Sequence, residues 1–86
     1  MWKVMIADDE MYMLEALEKL INWEKMDCQL VYKAQNGKEL IRQMKIEIPD
    51  IVITDIKMPL LNGIQVAQYV YENMLPTKVI ILSAYA

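Results

Sequence analysis

Short apolar runs alternate along this chain with longer stretches in which apolar residues recur every three or four positions. The short runs, at residues 3–7, 29–34, 50–55 and 78–83, contain mainly apolar and β-branched residues and predict strands. The longer stretches have the spacing of amphipathic helices. Their apolar positions, which should face a core, are Leu14, Leu17, Leu20 and Ile21 in the first helix, Leu40, Ile41, Met44 and Ile48 in the second, and Ile64, Ala67, Val70, Tyr71 and Met74 in the third.

Local signals place the helix boundaries. Asn36 followed by Glu39 has the form of a helix N-cap, and the pair Asn62-Gly63 is expected to open the third helix. Pro49 is expected to stop the second helix, because proline cannot donate the next hydrogen bond. Strands that alternate with helices of this length indicate βαβ units, a parallel sheet and helices on both of its faces. The fold class is therefore α/β.

Composition limits the functions that this chain can have. Its 86 residues allow one domain, and a net charge of −3 without a basic cluster argues against nucleic-acid binding by this segment. The lone cysteine, Cys28, excludes an internal disulfide and fits a reducing compartment, so we expect a cytoplasmic location. The absence of histidine excludes a His-based metal site or triad. No signal peptide and no membrane-length apolar run is evident.

Polar residues end three of the predicted strands and should meet at one edge of the sheet. Asp8 and Asp9 follow the first strand, Asp55 ends the third and Ser83 ends the fourth. Each residue alone is more simply a strand terminator, but three carboxylates are more than strand ends need. Oxygen ligands without histidine or cysteine suit Mg²⁺. A carboxylate beside Mg²⁺ can also attack phosphorus and become an aspartyl phosphate.

Four sequence blocks, taken together, resemble the receiver domain of two-component response regulators. They are VMIADDE at residues 4–10, PDIVITDIKMP at 49–59, Asn62-Gly63, and VIILSA at 79–84. The resemblance covers essentially the whole chain and implies a flavodoxin-like three-layer sandwich with a parallel sheet in the order 2-1-3-4. The segment INWE at residues 21–24 further resembles receivers fused to AraC-type DNA-binding domains, although Trp23 could simply pack the end of a helix.

The resemblance implies a role for each site residue. Asp55 would accept a phosphoryl group from a sensor histidine kinase, and Ser83 would sense that group through its hydroxyl. Pro59 and Gly63 would shape the loop after Asp55, Gly63 by allowing a backbone turn that other residues avoid. The Mg²⁺ ligands implied are Asp9, Asp55 and the backbone carbonyl of Lys57, with Asp8 acting through water. DNA would be reached only through an output domain that this chain lacks, and no membrane is involved.

The chain also departs from the receiver pattern. The fourth helix, fifth strand and fifth helix of a receiver have no counterpart, so residues 1–86 are interpreted as a truncated receiver domain. Lys57 and Lys78, the only lysines after Asp55, do not match the family's phosphate-neutralising lysine. Phosphoryl transfer by this chain should therefore be weak. An exposed fourth strand or first helix should favour self-association.

Three alternative functions stay open from the residues alone. A flavodoxin-like binding module for a nucleotide or flavin would need a glycine-rich phosphate loop after the first strand, where this chain has acids. A haloacid-dehalogenase-type phosphatase would need the pattern Asp-x-Asp, whereas residues 8–10 are Asp-Asp-Glu. An inactive fragment that acts only as an interaction module would need no chemistry at all.

Overall fold

The computed structural model describes residues 1–82, in which strands and helices alternate. The strands are β1 (Trp2–Ala7), β2 (Cys28–Ala34), β3 (Ile51–Asp55) and β4 (Lys78–Leu82). The helices are α1 (Met11–Leu20), α2 (Gly37–Ile46) and α3 (Gly63–Glu72), and a single 3₁₀ turn (Glu24–Met26) precedes β2. All predicted strands and helices are present, and the 3₁₀ turn is an element that the hydrophobic pattern did not indicate.

The four strands form one parallel sheet in the order β2-β1-β3-β4, which confirms the predicted topology. β1 lies in the middle, where Val4 is opposite both Leu30 of β2 and Ile51 of β3. On the far side of β3, Ile51 is opposite Lys78 of β4. Parallel strands in this order bring the carboxyl ends of β1 and β3 side by side, which is where the predicted acidic residues lie.

The alternation of side chains along β1 divides the core into two layers. Met5 and Ala7 lie in one buried cluster with residues of α2 and α3, whereas Val4 and Ile6 lie in the other, with Leu14 of α1. Each fully buried aliphatic side chain of this size stabilises the fold by about 1.5–3 kcal/mol relative to its exposed state. Because α2 and α3 contribute to one cluster and α1 to the other, the predicted sandwich with helices on both faces of the sheet is confirmed.

Within residues 1–82, the two faces of the sheet are covered unequally. α2 and α3 pack on one face, and α1 alone packs on the other. α1 lies towards β2, because Glu18 accepts a hydrogen bond from Lys33 Nζ at 2.7 Å. On the α1 face of β4, Ile80 and Leu82 keep 46% and 43% of their surface exposed. A helix is about 10 Å wide and strands are about 4.8 Å apart, so one helix covers roughly two of the four strands.

The helix faces differ in part from the predicted ones. α3 buries Val66 and Val70, whereas Ile64, Tyr71 and Met74 of the predicted stripe are exposed. The prediction was right for Val70 but wrong for these three residues, because apolar residues surround α3 and helical spacing alone fitted two different stripes. Leu20 of α1, also predicted to face the core, is 83% exposed.

The end of the second helix also differs from the prediction. α2 ends at Ile46, before Pro49, so Ile48 lies outside the helix and is exposed rather than part of its buried stripe. The next residue, Glu47, has an extended backbone and forms an ion pair with Lys3 at 2.7 Å. The chain is therefore already extended when it reaches the proline.

One further residue, Trp23, has the environment that its local sequence suggested. Trp23 packs against the α1 side of the core and donates from Nε1 to the carbonyl of Glu18 at 3.3 Å, so it does pack the end of a helix. Cys28 is a buried free thiol at the first position of β2. Among residues 1–82, no helix is long and apolar enough to cross a membrane.

Candidate functional site: an acidic cluster at the carboxyl edge of the sheet

Three carboxylates meet at the carboxyl edge of the sheet, as the sequence predicted. One oxygen from each of Asp8, Asp9 and Asp55 lies within 4.8 Å of the other two. Asp8 follows β1 and its amide donates to the carbonyl of Ala34 at 3.0 Å, which continues the pairing with β2 beyond the last strand residue. Asp8 and Asp55 are half-buried, whereas Asp9 is exposed. The cluster is therefore open to solvent on the side of Asp9.

The surroundings of Asp8 disfavour its negative charge. Partial burial raises the pKa of Asp8 above its ordinary value, and the charges of Asp55 and Asp9 raise it further. One contact opposes this shift, because the amide of Glu10 donates to Asp8 Oδ1 at 2.9 Å. Crowded carboxylates of this kind are stabilised by a cation, and oxygen-only donors fit a hard divalent ion such as Mg²⁺.

Local backbone contacts hold Asp55 at the end of β3. The amide of Ile56 donates to Asp55 Oδ1 at 2.8 Å and restricts the carboxylate. The fully buried hydroxyl of Thr54 donates to the carbonyl of Asp55 at 3.0 Å and also contacts the sulfur of Met58 at 3.6 Å. Thr54 and Met58 therefore support Asp55 from the buried side of the site. This role was not predicted from the sequence for either residue.

A cleft of about 520 Å³ lies beside the cluster, between the end of β1 and the loop that joins β3 to α3. The residues that line it are Asp9, Ile56, Lys57, Met58 and Asn62. Asn62 also caps α3, because its side chain accepts from the amide of Gln65 at 2.8 Å while the amide of Asn62 donates to the side chain of Gln65 at 2.8 Å. One wall of the cleft is therefore a rigid helix start.

Leu60, rather than Gly63, has the unusual backbone conformation in this loop. Leu60 has φ +70°, and the amide of Leu61 donates to the carbonyl of Pro59 at 2.9 Å, so residues 59–61 form a γ-turn of the strained kind. No described glycine has a positive φ, so the predicted reason for Gly63 was wrong. Gly63 is needed for space, because a Cβ there would lie 2.2 Å from the carbonyl oxygen of Asp55.

The sequence model of one family, described as the response regulator receiver domain, matches residues 4–86. The chain belongs to this family.

Relatives and solved structures agree with this assignment. The receiver is 36% identical to the uncharacterized transcriptional regulatory protein YesN of Bacillus subtilis, over 99% of this chain and 23% of that protein. It is 38% identical to the transcriptional regulatory protein HptR of Staphylococcus aureus, over 99% of this chain and 33% of that protein. It superposes with a TM-score of 0.90 and 26% identity on a two-component transcriptional regulator AraC from Clostridium phytofermentans, over 100% of this chain and 67% of that one.

The receiver thus spans about a quarter to a third of the length of these curated relatives. Solved structures with similar TM-scores include both this AraC regulator and a LuxR-family regulator from Staphylococcus aureus.

One contact of the receiver loop was not foreseen from the sequence. The amide of Gly37, the first residue of α2, donates to the carbonyl of Leu61 at 3.0 Å. A Cβ on Gly37 would lie 2.2 Å from that same carbonyl oxygen. The available signal was a glycine directly after an N-cap asparagine, a position where most residues would serve the helix better.

The remaining predicted site residues are placed as follows. Lys57 is exposed and lines the cleft, so its role as a carbonyl ligand stays a prediction. Pro59 is exposed and begins the γ-turn. Ser83 lies outside the described residues. Lys78 starts β4 and therefore lies at the amino end of this strand, whereas Asp55 pairs with Leu82 at the other end.

Proposed function

We propose that this receiver is a phospho-accepting signalling switch in which Asp55 takes a phosphoryl group from a sensor histidine kinase. A carboxylate oxygen of Asp55 would form the new P–O bond while the P–N bond to the kinase histidine breaks. The observation that carries this proposal is the convergence of Asp8, Asp9 and Asp55 within 4.8 Å at the mouth of a solvent-open cleft. Asp55 is proposed as the acceptor because it ends β3 and the amide of Ile56 orients its carboxylate.

The residues around Asp55 suit a Mg²⁺ ion. We assign Asp9 and Asp55 as direct ligands, Asp8 as a ligand through water and the backbone carbonyl of Lys57 as a further ligand. A bound Mg²⁺ would neutralise charge on the transferring phosphoryl group and on the acids around it. Ser83 would donate a hydrogen bond from its hydroxyl to the phosphoryl group. Pro59 and Gly63 would shape the loop between Asp55 and α3.

Partners follow from the family and from the uncovered surface. The relatives named above are transcriptional regulators, so we propose that the receiver controls an output domain and that DNA is contacted by that domain. Self-association is proposed through β4, because Ile80 and Leu82 are exposed beside an edge strand. In α1, Leu14 is buried and Leu17 and Ile21 are half-buried, but Leu20 is 83% exposed, so α1 stays a second candidate surface.

The other candidate functions have less support. A nucleotide or flavin module would place a phosphate against Asp8, Asp9 and Glu10, which repel it. An inactive interaction module would leave the acid cluster without a use. We propose that residues 1–86 act as one domain in the cytoplasm, which the free thiol of Cys28 and a kinase partner both support.

The proposed acceptor is tested by phosphorylation in vitro. Purified chain is incubated with acetyl phosphate and Mg²⁺, and intact-mass spectrometry measures the fraction that gains one phosphoryl group. We expect a small modified fraction that requires Mg²⁺ and is lost in Asp55→Asn. The matched control is Asp27→Asn, because Asp27 is an exposed aspartate in a left-handed conformation that asparagine also adopts.

The outcomes are distinct. Modification that persists in Asp55→Asn places the acceptor elsewhere. A wild-type chain that is folded but unmodified, both with acetyl phosphate and with a phosphorylated histidine kinase, favours the inactive interaction module instead.

A further inference from the structure

Both glycines of this chain donate their amides to the loop between β3 and α3. Gly37 donates to the carbonyl of Leu61 at 3.0 Å, and Gly63 donates to the carbonyl of Ile56 at 2.8 Å. In both cases a Cβ would lie 2.2 Å from a backbone oxygen, of Leu61 for Gly37 and of Asp55 for Gly63. The loop is therefore held near each end by a glycine that comes closer than any other residue could.

The two glycines differ in how far along the chain they lie from the loop. Gly63 continues directly from the loop, so its contact is local. Gly37 belongs to α2, and its amide is one of the helix N-terminal donors that have no partner inside the helix. The partner it finds is a loop carbonyl next to Leu60, whose φ of +70° is unfavourable for leucine. A strained backbone conformation persists where surrounding contacts stabilise it, and the hydrogen bond from Gly37 is one such contact.

The start of α2 is itself firmly anchored. The side chain of Asn36 accepts from the amide of Glu39 at 2.7 Å, which caps the helix. The carboxylate of Glu39 accepts from the hydroxyl of Tyr32 on β2 at 2.7 Å, and Leu40 is fully buried in the core. Gly37 is thus fixed to the sheet by contacts that do not involve the loop. The loop is positioned by its hydrogen bond to Gly37.

We propose that Gly37 is a positioning residue of the phosphorylation site: through the carbonyl of Leu61 it sets the position of the loop that bears Lys57. This inference rests on the proposed function, because the loop matters in this way only if it contributes to the Mg²⁺ and phosphoryl site. Occupation of the site by Mg²⁺ then changes the hydrogen bond at Gly37, and a Cβ at position 37 weakens Mg²⁺ binding.

The first test uses the unaltered chain. Selective ¹⁵N-glycine labelling gives two amide cross-peaks, one each for Gly37 and Gly63. During a Mg²⁺ titration we expect both peaks to move with one dissociation constant, and both movements to be lost in Asp9→Asn. Movement of the Gly63 peak alone overturns the role of Gly37 and leaves the proposed function standing. No movement of either peak in a folded sample removes the metal site, and the inference with it.

The second test uses a pair of variants at the same helix start. Gly37→Ala pushes on the carbonyl of Leu61, and we expect Mg²⁺ affinity to fall about tenfold, the usual size of a supporting contact. Lys38→Gly destabilises the same helix start, because glycine is less favourable than lysine inside a helix, and the exposed Lys38 takes no part in anchoring Gly37. This variant should lower the melting temperature and leave Mg²⁺ affinity unchanged. Equal weakening in both variants shows that only helix stability matters and overturns the proposal. If Gly37→Ala does not fold, the glycine titration decides.

Discussion

Lys3 and Asp50 hydrogen-bond each other twice across the amino edge of the sheet. The amide of Asp50 donates to the carbonyl of Lys3 at 2.8 Å, and the amide of Lys3 donates to the carboxylate of Asp50 at 2.8 Å. The carbonyl of Asp50 also accepts from the amide of Lys78 at 2.9 Å. One residue thus connects the entrances of β1, β3 and β4, at the edge opposite the acidic cluster.

Removing the Asp50 carboxylate should therefore cost stability without affecting the site. We expect Asp50→Ala to lower the free energy of unfolding by about 1–2 kcal/mol, because the amide of Lys3 loses its acceptor. Asp50→Asn should lose less, since its amide oxygen can still accept. Urea titrations with a common m-value measure both. An alanine variant as stable as wild type would show that water replaces the carboxylate at no cost.

The crowding of acids at the site predicts a pH-dependent loss of stability in Mg²⁺-free protein. Burial, and then the charges of Asp55 and Asp9, raise the pKa of Asp8, so between its ordinary and its raised pKa the folded chain binds this proton more tightly than the unfolded chain does. The contribution of Asp8 to stability is therefore present below its ordinary pKa and lost as pH rises through the folded value. We expect Asp8→Asn to raise the melting temperature at neutral pH in EDTA.

That gain should shrink as the pH is lowered towards the ordinary pKa of aspartate. The asparagine Oδ1 can still accept the amide of Glu10, so the comparison isolates the charge. Saturating Mg²⁺ should reverse the order of the two melting temperatures, because wild type binds the ion more tightly. If Asp8→Asn melts below wild type at neutral pH in EDTA, repulsion among the acids does not limit stability.

The end of α3 offers a stabilising substitution. Met74 has φ +50° and is 89% exposed. The amide of Met74 donates to the carbonyl of Tyr71 at 3.1 Å, and that of Leu75 to the carbonyl of Val70 at 3.0 Å. These two bonds define a Schellman motif, in which glycine is the usual residue at the left-handed position. We expect Met74→Gly to raise the free energy of unfolding by about 1 kcal/mol.

The matched control is Met74→Ala, which removes the same exposed side chain but keeps the Cβ. Its stability should stay near that of wild type in parallel urea titrations. Equal stabilisation by alanine and glycine would mean that the exposed methionine itself was unfavourable, rather than the backbone conformation.

The open face of β4 predicts concentration-dependent association. Ile80→Lys places a charge on this face next to the unpaired edge of the described sheet. We expect it to weaken self-association about tenfold, roughly 1.4 kcal/mol, in sedimentation equilibrium. Tyr71→Lys is the control, because Tyr71 is 84% exposed on α3 and lies away from β4. A wild-type chain that is monomeric at all concentrations removes the proposed interface.

The strands and the meeting of the acids at one edge were predictable because they depend on short patterns and on the handedness of βαβ connections, whereas the strand order came from the resemblance to receiver domains. The buried face of α3 was not, because Ile64, Val66 and Tyr71 supply apolar residues on several sides of one helix. The contact between Gly37 and Leu61 was also beyond the sequence, because it depends on where the strained turn at Leu60 directs a carbonyl. Strands and helices can be predicted where the apolar residues fit a single periodicity, whereas a contact that depends on the path of a loop cannot be predicted from the sequence.

The central place of β1 has a consequence for the order in which the domain can assemble. Among the four strands of the described sheet, β1 leaves the ribosome first, yet its two neighbours are β2 and, much later, β3. Until β3 has been synthesised, the apolar side chains from Val4 to Ala7 have at most one strand beside them. Sheet pairings this distant in sequence form slowly, and no early portion of the chain contains a closed core. Folding must therefore wait for most of the chain, and the nascent β1 needs protection from other chains during that time.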